Sequence, residues 1–159
     1  MKIYPLPVKK NKNGELVADI PVWKYYHQIM EEVMEAHAEN VGVFESNEAE
    51  ELADVITCCI TRLDIVVDSK KDFVEYVSKL LTAAKRDYTE PKDFYTDLAV
   101  TVMQGFSLSS YSFYECKILS RIIVMCEKRL EGMGYNEVAR EKIYAAVNEK
   151  NRRRGYLED

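Results

Sequence analysis

Apolar residues recur at helical spacing along most of this chain, in stretches separated by short polar breaks. The first stretch covers residues 23–39 and gives way to a break at 40–45. Ser46 or Asn47 can cap the start of a second helix, because a short polar side chain there satisfies an otherwise unpaired backbone N–H. Residues 55–67 of that helix are apolar around most of their circumference, which predicts a largely buried helix. A third helix is expected over 70–86, stopping before Thr89-Glu90-Pro91. A fourth begins near Pro91, runs through Met103 and loosens at Gly105 and the serine-rich stretch that follows. A fifth covers 113–130, with Ile118, Ile122, Met125 and Leu130 as core candidates, and ends at Gly132-Met133-Gly134. A sixth starts at Asn136 and closes on the basic run Lys150-Asn151-Arg152-Arg153-Arg154.

Residues 1–22 read differently. Two apolar segments flank a lysine-rich turn carrying Asn13-Gly14, a hairpin signal weakened by Pro5 and Pro7. The expectation is one all-α domain, an antiparallel helical bundle over 1–159 with a short N-terminal hairpin or arm. It divides into the arm (1–22), an acidic helical hairpin (23–67), additional helices (68–134) and a C-terminal helix with a basic tail (135–159). Helices four and five read as a diverged copy of the first hairpin without its acids, Asp93 and Asp97 being the one acidic pair at that start.

The acids on the first hairpin carry the candidate chemistry. Residues three or four apart share a helix face, so Glu32 with Glu35, Glu31 with Glu35, and Glu51 with Asp54 stand side by side. Glu32 and Glu35 precede Gly42 by ten and seven residues, and Glu51 and Asp54 follow it by nine and twelve. At about 1.5 Å of rise per residue, an antiparallel fold-back brings the pairs level within roughly one turn. Taken alone, Glu31, Glu32 and Glu35 fit a solvated acidic face. The second helix argues otherwise, because Glu51 and Asp54 project in nearly the direction of Cys58 and Ile65, so the acidic stripe continues into apolar side chains. Two like charges about 4 Å apart repel by roughly 4 kcal/mol at an effective dielectric near 20. Such a cluster must take up protons, spread into water or bind a cation, and an all-oxygen set suits Mg²⁺ or Mn²⁺ better than Zn²⁺.

Composition narrows the classes. A net charge of −5 argues against nucleic-acid binding, and the four cysteines show no C-x-x-C spacing, so they read as reduced core residues. With no leader-like start and no apolar run of membrane-spanning length, the expectation is a cytoplasmic protein without a membrane partner. The basic run near the C-terminus fits a solvated helix end, where cations suit the helix dipole. Beside the acids it becomes a candidate phosphate clamp, since carboxylate-held Mg²⁺ commonly acts on phosphate.

The pattern Glu31-Glu32-x-x-Glu35, then Glu51-x-x-Asp54, then Lys150-Asn151-x-x-Arg154 with Tyr156 following resembles the all-α nucleoside triphosphate pyrophosphohydrolases, the MazG-like proteins and their dimeric dUTPase and dCTPase relatives. The resemblance covers about residues 23–67 and 135–156. It implies Mg²⁺-dependent hydrolysis of a (d)NTP to the monophosphate and pyrophosphate, in house-cleaning or control of the dNTP pool. It also implies metal binding by Glu32, Glu35, Glu51 and Asp54, with Glu31 and Glu35 catalytic and Glu31 orienting or deprotonating water or helping to hold a second metal. Lys150, Asn151 and Arg154 would contact phosphates, and a homodimer or higher homo-oligomer is expected. Trp23, Tyr26 and Phe44 are the candidates for stacking on a base, against the alternative that aromatics at helical spacing fill the core. Gln28 or Asn40 would read its edge, while His27 and His37 are taken as structural or surface residues. Val147 stands where relatives often carry a further lysine, and the stretch 70–131 is longer than in minimal members, which build a four-helix core from two chains. The competing reading is a catalytically degenerate helical nucleotide-binding or regulatory protein of the same fold. A ferritin-like di-iron bundle is excluded, because no Glu is followed three residues later by His.

Overall fold

A computed structural model describes residues 3–42, 47–67 and 72–157. Among these lie six helices: α1 (Val22–Asn40), α2 (Glu48–Val66), α3 (Phe73–Arg86), α4 (Phe94–Ser107), α5 (Ser112–Gly132) and α6 (Glu137–Arg153). The all-α expectation holds. The described residues contain no strand beyond a single antiparallel bridge between Lys10 and Leu16, and no helix among them is long and apolar enough to cross a membrane.

Contacts between named residues fix the directions. Tyr25 on α1 donates to the carbonyl of Cys58 on α2, whereas Arg62 and Glu48 on α2 pair with Glu115 and Arg129 on α5. On α4, Gly105 approaches Tyr26 of α1 and Ile118 of α5, and Tyr95 at the other end of that helix lies against His37 and Arg129. Neighbours around the ring α1, α2, α5, α4 therefore run antiparallel. Ile29, Val33, Leu52, Ile56, Leu119 and Ile122 fill the middle, each almost inaccessible to water. α3 packs on the outside of α5, and α6 lies chiefly along α2. One chain thus supplies a complete four-helix bundle, and the additional helices provide two of its four members.

Local chemistry sets the ends. The Asp93 side chain accepts from the backbone N–H of Thr96 at 3.0 Å, so α4 starts at Phe94 instead of Pro91 and Asp93 is its cap, not half of an acidic pair. Asn136 caps α6 in the same way through Ala139. Asn47 precedes α2 without a side-chain cap bond, and Ser46 lies outside the described residues. The expected loosening at Gly105 does not occur. α4 runs on to Ser107 with Gly105 inside it, where a side chain would meet Tyr26 Cε1 at 2.9 Å, so the glycine lets two helices approach.

The N-terminal segment is an arm laid along α2 and α6. Leu6 donates its N–H to Asn148 Oδ1 at 2.7 Å, Val8 donates to Thr61 Oγ1 at 3.0 Å, and Asn148 Nδ2 donates to the Tyr4 carbonyl at 3.1 Å. After α6, Gly155 takes φ +75°, which lets Tyr156 turn back and donate to the Asn151 carbonyl at 2.9 Å. The Tyr156 carbonyl then accepts from the N–H groups of Lys9 and Lys10, at 2.6 and 3.1 Å. The arm and the turn after α6 thus meet beside the acidic hairpin.

Candidate metal and phosphate site

The fold-back of α1 on α2 brings Glu32, Glu35 and Glu51 together, with one oxygen from each within 4.8 Å of the others. Glu35 is exposed while Glu32 and Glu51 are half-buried, so the cluster opens to solvent on one side. Burial, with the charges of Asp54, Glu35 and Glu51, pushes Glu32 up to about 8. Burial, Asp54 and Glu35 raise Glu51 to about 7. For both Glu32 and Glu51 burial comes first and neighbouring like charges second in penalising the ionised form.

Asp54 stands apart from that triad. Its two oxygens lie 3.4 Å from Lys150 Nζ, which also donates to Glu50 Oε1 at 3.0 Å. Burial raises the Asp54 carboxyl while Lys150 holds it down, and the Lys150 ammonium, pulled down by burial, is raised on balance by Asp54 and Glu50. The structure therefore gathers three of the four expected ligands and ties the fourth to an expected phosphate contact. The reason is tertiary: α6 packs along α2 and delivers Lys150 beside Asp54. Glu31 lies outside the triad, with Oε1 at 3.2 Å from His27 Nδ1 and Oε2 at 3.7 Å from Lys12 Nζ.

A cleft of about 170 Å³ runs from Glu31, Glu32 and Asp54 to Lys150, Asn151 and Arg154. Its floor includes Tyr25, Thr57 and Cys58, the last with its thiol raised by burial and by the Glu32 and Asp54 charges. Thus the acidic stripe does pass into the core, as its spacing requires. Asn151 is buried and its carbonyl serves the C-terminal turn, whereas Arg154 is exposed.

The aromatic candidates fare differently. Tyr26 is buried on the bundle side of α1, donates its hydroxyl to Glu115 and packs on Phe106 with ring centroids 5.8 Å apart, so it offers no stacking face. Trp23 is exposed but does not line the cleft, and Phe44 lies outside the described residues. Gln28 does line the cleft, while Asn40 accepts from Arg129 at 2.9 Å.

Sequence reasoning missed Lys10, Asn11 and Lys12, which line the cleft from the arm. The lysine-rich turn was visible, but nothing in the spacing says which helix an arm lies on. A larger hollow of about 500 Å³ between α3, α4 and α5 is remote from these acids and mixes Lys117 and Arg121 with Asp87 and Asp97.

As a metal site the triad fits a hard divalent cation. It offers oxygen donors only, on two helices packed against each other, and burial with like charges penalises the ionised forms of Glu32 and Glu51, a repulsion that a bound cation would offset. No model of a known protein family matches the chain, and neither curated proteins nor solved structures show a match to it.

Proposed function

We propose that this protein is a Mg²⁺-dependent nucleoside triphosphate pyrophosphohydrolase, releasing pyrophosphate and a monophosphate from a (d)NTP. The observation that carries the reading is a carboxylate triad adjoining a cleft whose other walls bear four cations, Lys10, Lys12, Lys150 and Arg154. The resemblance of Glu31-Glu32-x-x-Glu35, Glu51-x-x-Asp54 and Lys150-Asn151-x-x-Arg154 to the all-α pyrophosphohydrolases supports it. Mg²⁺ or Mn²⁺ held by Glu32, Glu35 and Glu51, joined by Asp54 once Lys150 turns to a phosphate, would offset charge on the phosphate oxygens.

The chain's own groups do the rest. The cations draw the triphosphate into the cleft and hold it. Glu31 or Glu35 accepts a proton from water as its oxygen bonds to the α-phosphorus, the bond from that phosphorus to the oxygen bridging to the β-phosphate breaks, and pyrophosphate leaves with the electron pair. A cytoplasmic role in clearing or balancing nucleotide pools follows from that reaction, and a homo-oligomer is part of the same reading.

The test is a nucleotide panel assayed for pyrophosphate with and without Mg²⁺. Release from at least one (d)NTP, dependent on the metal and lost in Glu35→Ala and Glu51→Ala, is expected. Release from none of the panel refutes the reading. A binding protein with a degenerate site is favoured by one observation: Val147, where relatives often carry a lysine, is buried in the core, so the basic wall begins only at Lys150. Nucleotide binding without turnover would select that alternative.

A further inference from the structure

We infer that the N-terminal arm is part of the polyphosphate site, with Lys10 and Lys12 as phosphate-binding residues alongside Arg154. This rests on the reading of the cleft as a nucleotide site and names what that site is built from.

Lys10 and Lys12 lie on a turn held in one shape. Asn11 is buried, its Oδ1 accepts from the N–H groups of Asn13 and Glu15 at 3.0 Å each, and Gly14 closes the turn with φ +76°. Lys24 on α1 donates to both Glu15 oxygens at 3.2 Å, and Tyr156 anchors the other side of the turn through Lys9 and Lys10. Those bonds tie the turn both to α1 and to the end of α6. The tertiary structure therefore brings the two lysines to the same cleft as Lys150 and Arg154.

Charge identifies the ligand. In the structure Lys12 is paired with Glu31 and Lys150 with Asp54, so two of the four cations neutralise acids bordering the metal site. The Lys10 ammonium and the Arg154 guanidinium make no ion pair among the described residues, although both line the cleft. The two cations left without an ion pair come from distant parts of the chain to one hollow, and although Glu31, Glu32 and Asp54 also line it, they remain able to take an anionic ligand. An anion carrying several charges along its length suits them better than a single carboxylate, because it can reach several of these cations at once. A cleft near 170 Å³ is below the roughly 300 Å³ that encloses a whole drug-sized ligand, so it takes a phosphate chain and leaves the nucleoside outside. An incoming phosphate chain also replaces Glu31 and Asp54 as partner of Lys12 and Lys150, which frees Asp54 for the metal and Glu31 for the attacking water.

Inorganic tripolyphosphate, titrated calorimetrically into the full-length protein at fixed Mg²⁺ and ionic strength, tests this without relying on turnover. Lys10→Gln with Lys12→Gln keeps the aliphatic stems and removes both charges; binding about tenfold weaker or worse is expected, the usual loss for one or more charge-assisted bonds. Lys9→Gln is the control, since Lys9 Nζ points to Asp64 at 3.5 Å and is not in the cleft. With the preferred nucleotide the double variant raises KM more than it lowers kcat. Unchanged tripolyphosphate affinity and KM in a double variant that keeps the parent's helicity and melting temperature would reduce the arm to a strap, while parent turnover would leave the proposed reaction standing. A parent that neither binds tripolyphosphate nor releases pyrophosphate overturns both.

Discussion

At the scale of single residues, the burial of Glu32 and Glu51 among like charges bears on stability. Glu32 and Glu51 have folded-state values raised above the ordinary carboxylate range near 4.5, to about 8 and about 7. Between those limits the folded protein holds protons that the unfolded chain has released. Their contribution is fully present below about pH 4.5 and is lost as pH rises through 7 to 8. In metal-free buffer the melting temperature should fall between pH 6 and pH 8.5, by roughly 4–8 °C for about 2 kcal/mol after allowance for screening at this open cluster. Saturating Mg²⁺ should remove most of that fall, which differential scanning calorimetry at several pH values would show. Glu35→Gln removes one charge from the crowd, so it should raise the metal-free melting temperature at pH 8 by a few degrees. The same variant should lose most of the Mg²⁺-induced shift and the proposed turnover. A variant as metal-responsive as its parent would refute the triad as the binding site. Elsewhere, Glu115 is a structural acid. It is fully buried, bonded to Arg62 Nε at 2.8 Å and to the Tyr26 hydroxyl, and Glu115→Ala leaves a buried guanidinium uncompensated at a cost of about 3–5 kcal/mol, measurable by urea unfolding.

At the scale of elements, two glycines do different work. Gly105 lets α4 lie close on α1, and Gly105→Ala should cost about 1–3 kcal/mol, since its Cβ would press on Tyr26 within the packed bundle. Gly155 ends α6 in the left-handed region with open space around it, so Gly155→Ala strains only the backbone, by about 1 kcal/mol. Its wider effect is on the arm, because the Tyr156 carbonyl that holds Lys9 and Lys10 depends on that turn. Hydrogen exchange in Gly155→Ala should therefore accelerate at Lys9 and Lys10 more than in α1 or α2. Equal acceleration throughout the molecule would mean that the turn merely contributes to global stability. The arm also shows what local signals leave open. Asn13-Gly14 was legible as a turn, and the turn is there, but pairing stops at one bridge because the segment spends its backbone N–H groups on Asn148, Thr61 and Tyr156 instead of on a partner strand.

At the scale of the whole molecule, α1, α2, α4 and α5 complete a four-helix bundle within one chain. The homodimer implied by the family resemblance would assemble around a finished core and would not be needed to create one. Light scattering reports directly whether the particle has the 18.4 kDa of one chain or a multiple of it. A dimer whose dissociation leaves helicity and Mg²⁺ response unchanged is expected if assembly is separate from folding, and melting that depends on protein concentration would argue otherwise.

Periodicity and caps are local properties, which is why the sequence alone determined an all-α chain, the approximate helices and the level at which Glu32 and Glu35 face Glu51. Those follow from 3.6 residues per turn and a loop short enough to favour a fold-back. It took long-range packing to set Lys150 of α6 against Asp54, to turn Tyr26 inward to Glu115, and to carry Lys10 and Lys12 of the arm into the cleft. Each of those outcomes depends on packing between segments more than fifty residues apart, where no spacing rule operates and the burial of one surface against another selects the neighbour.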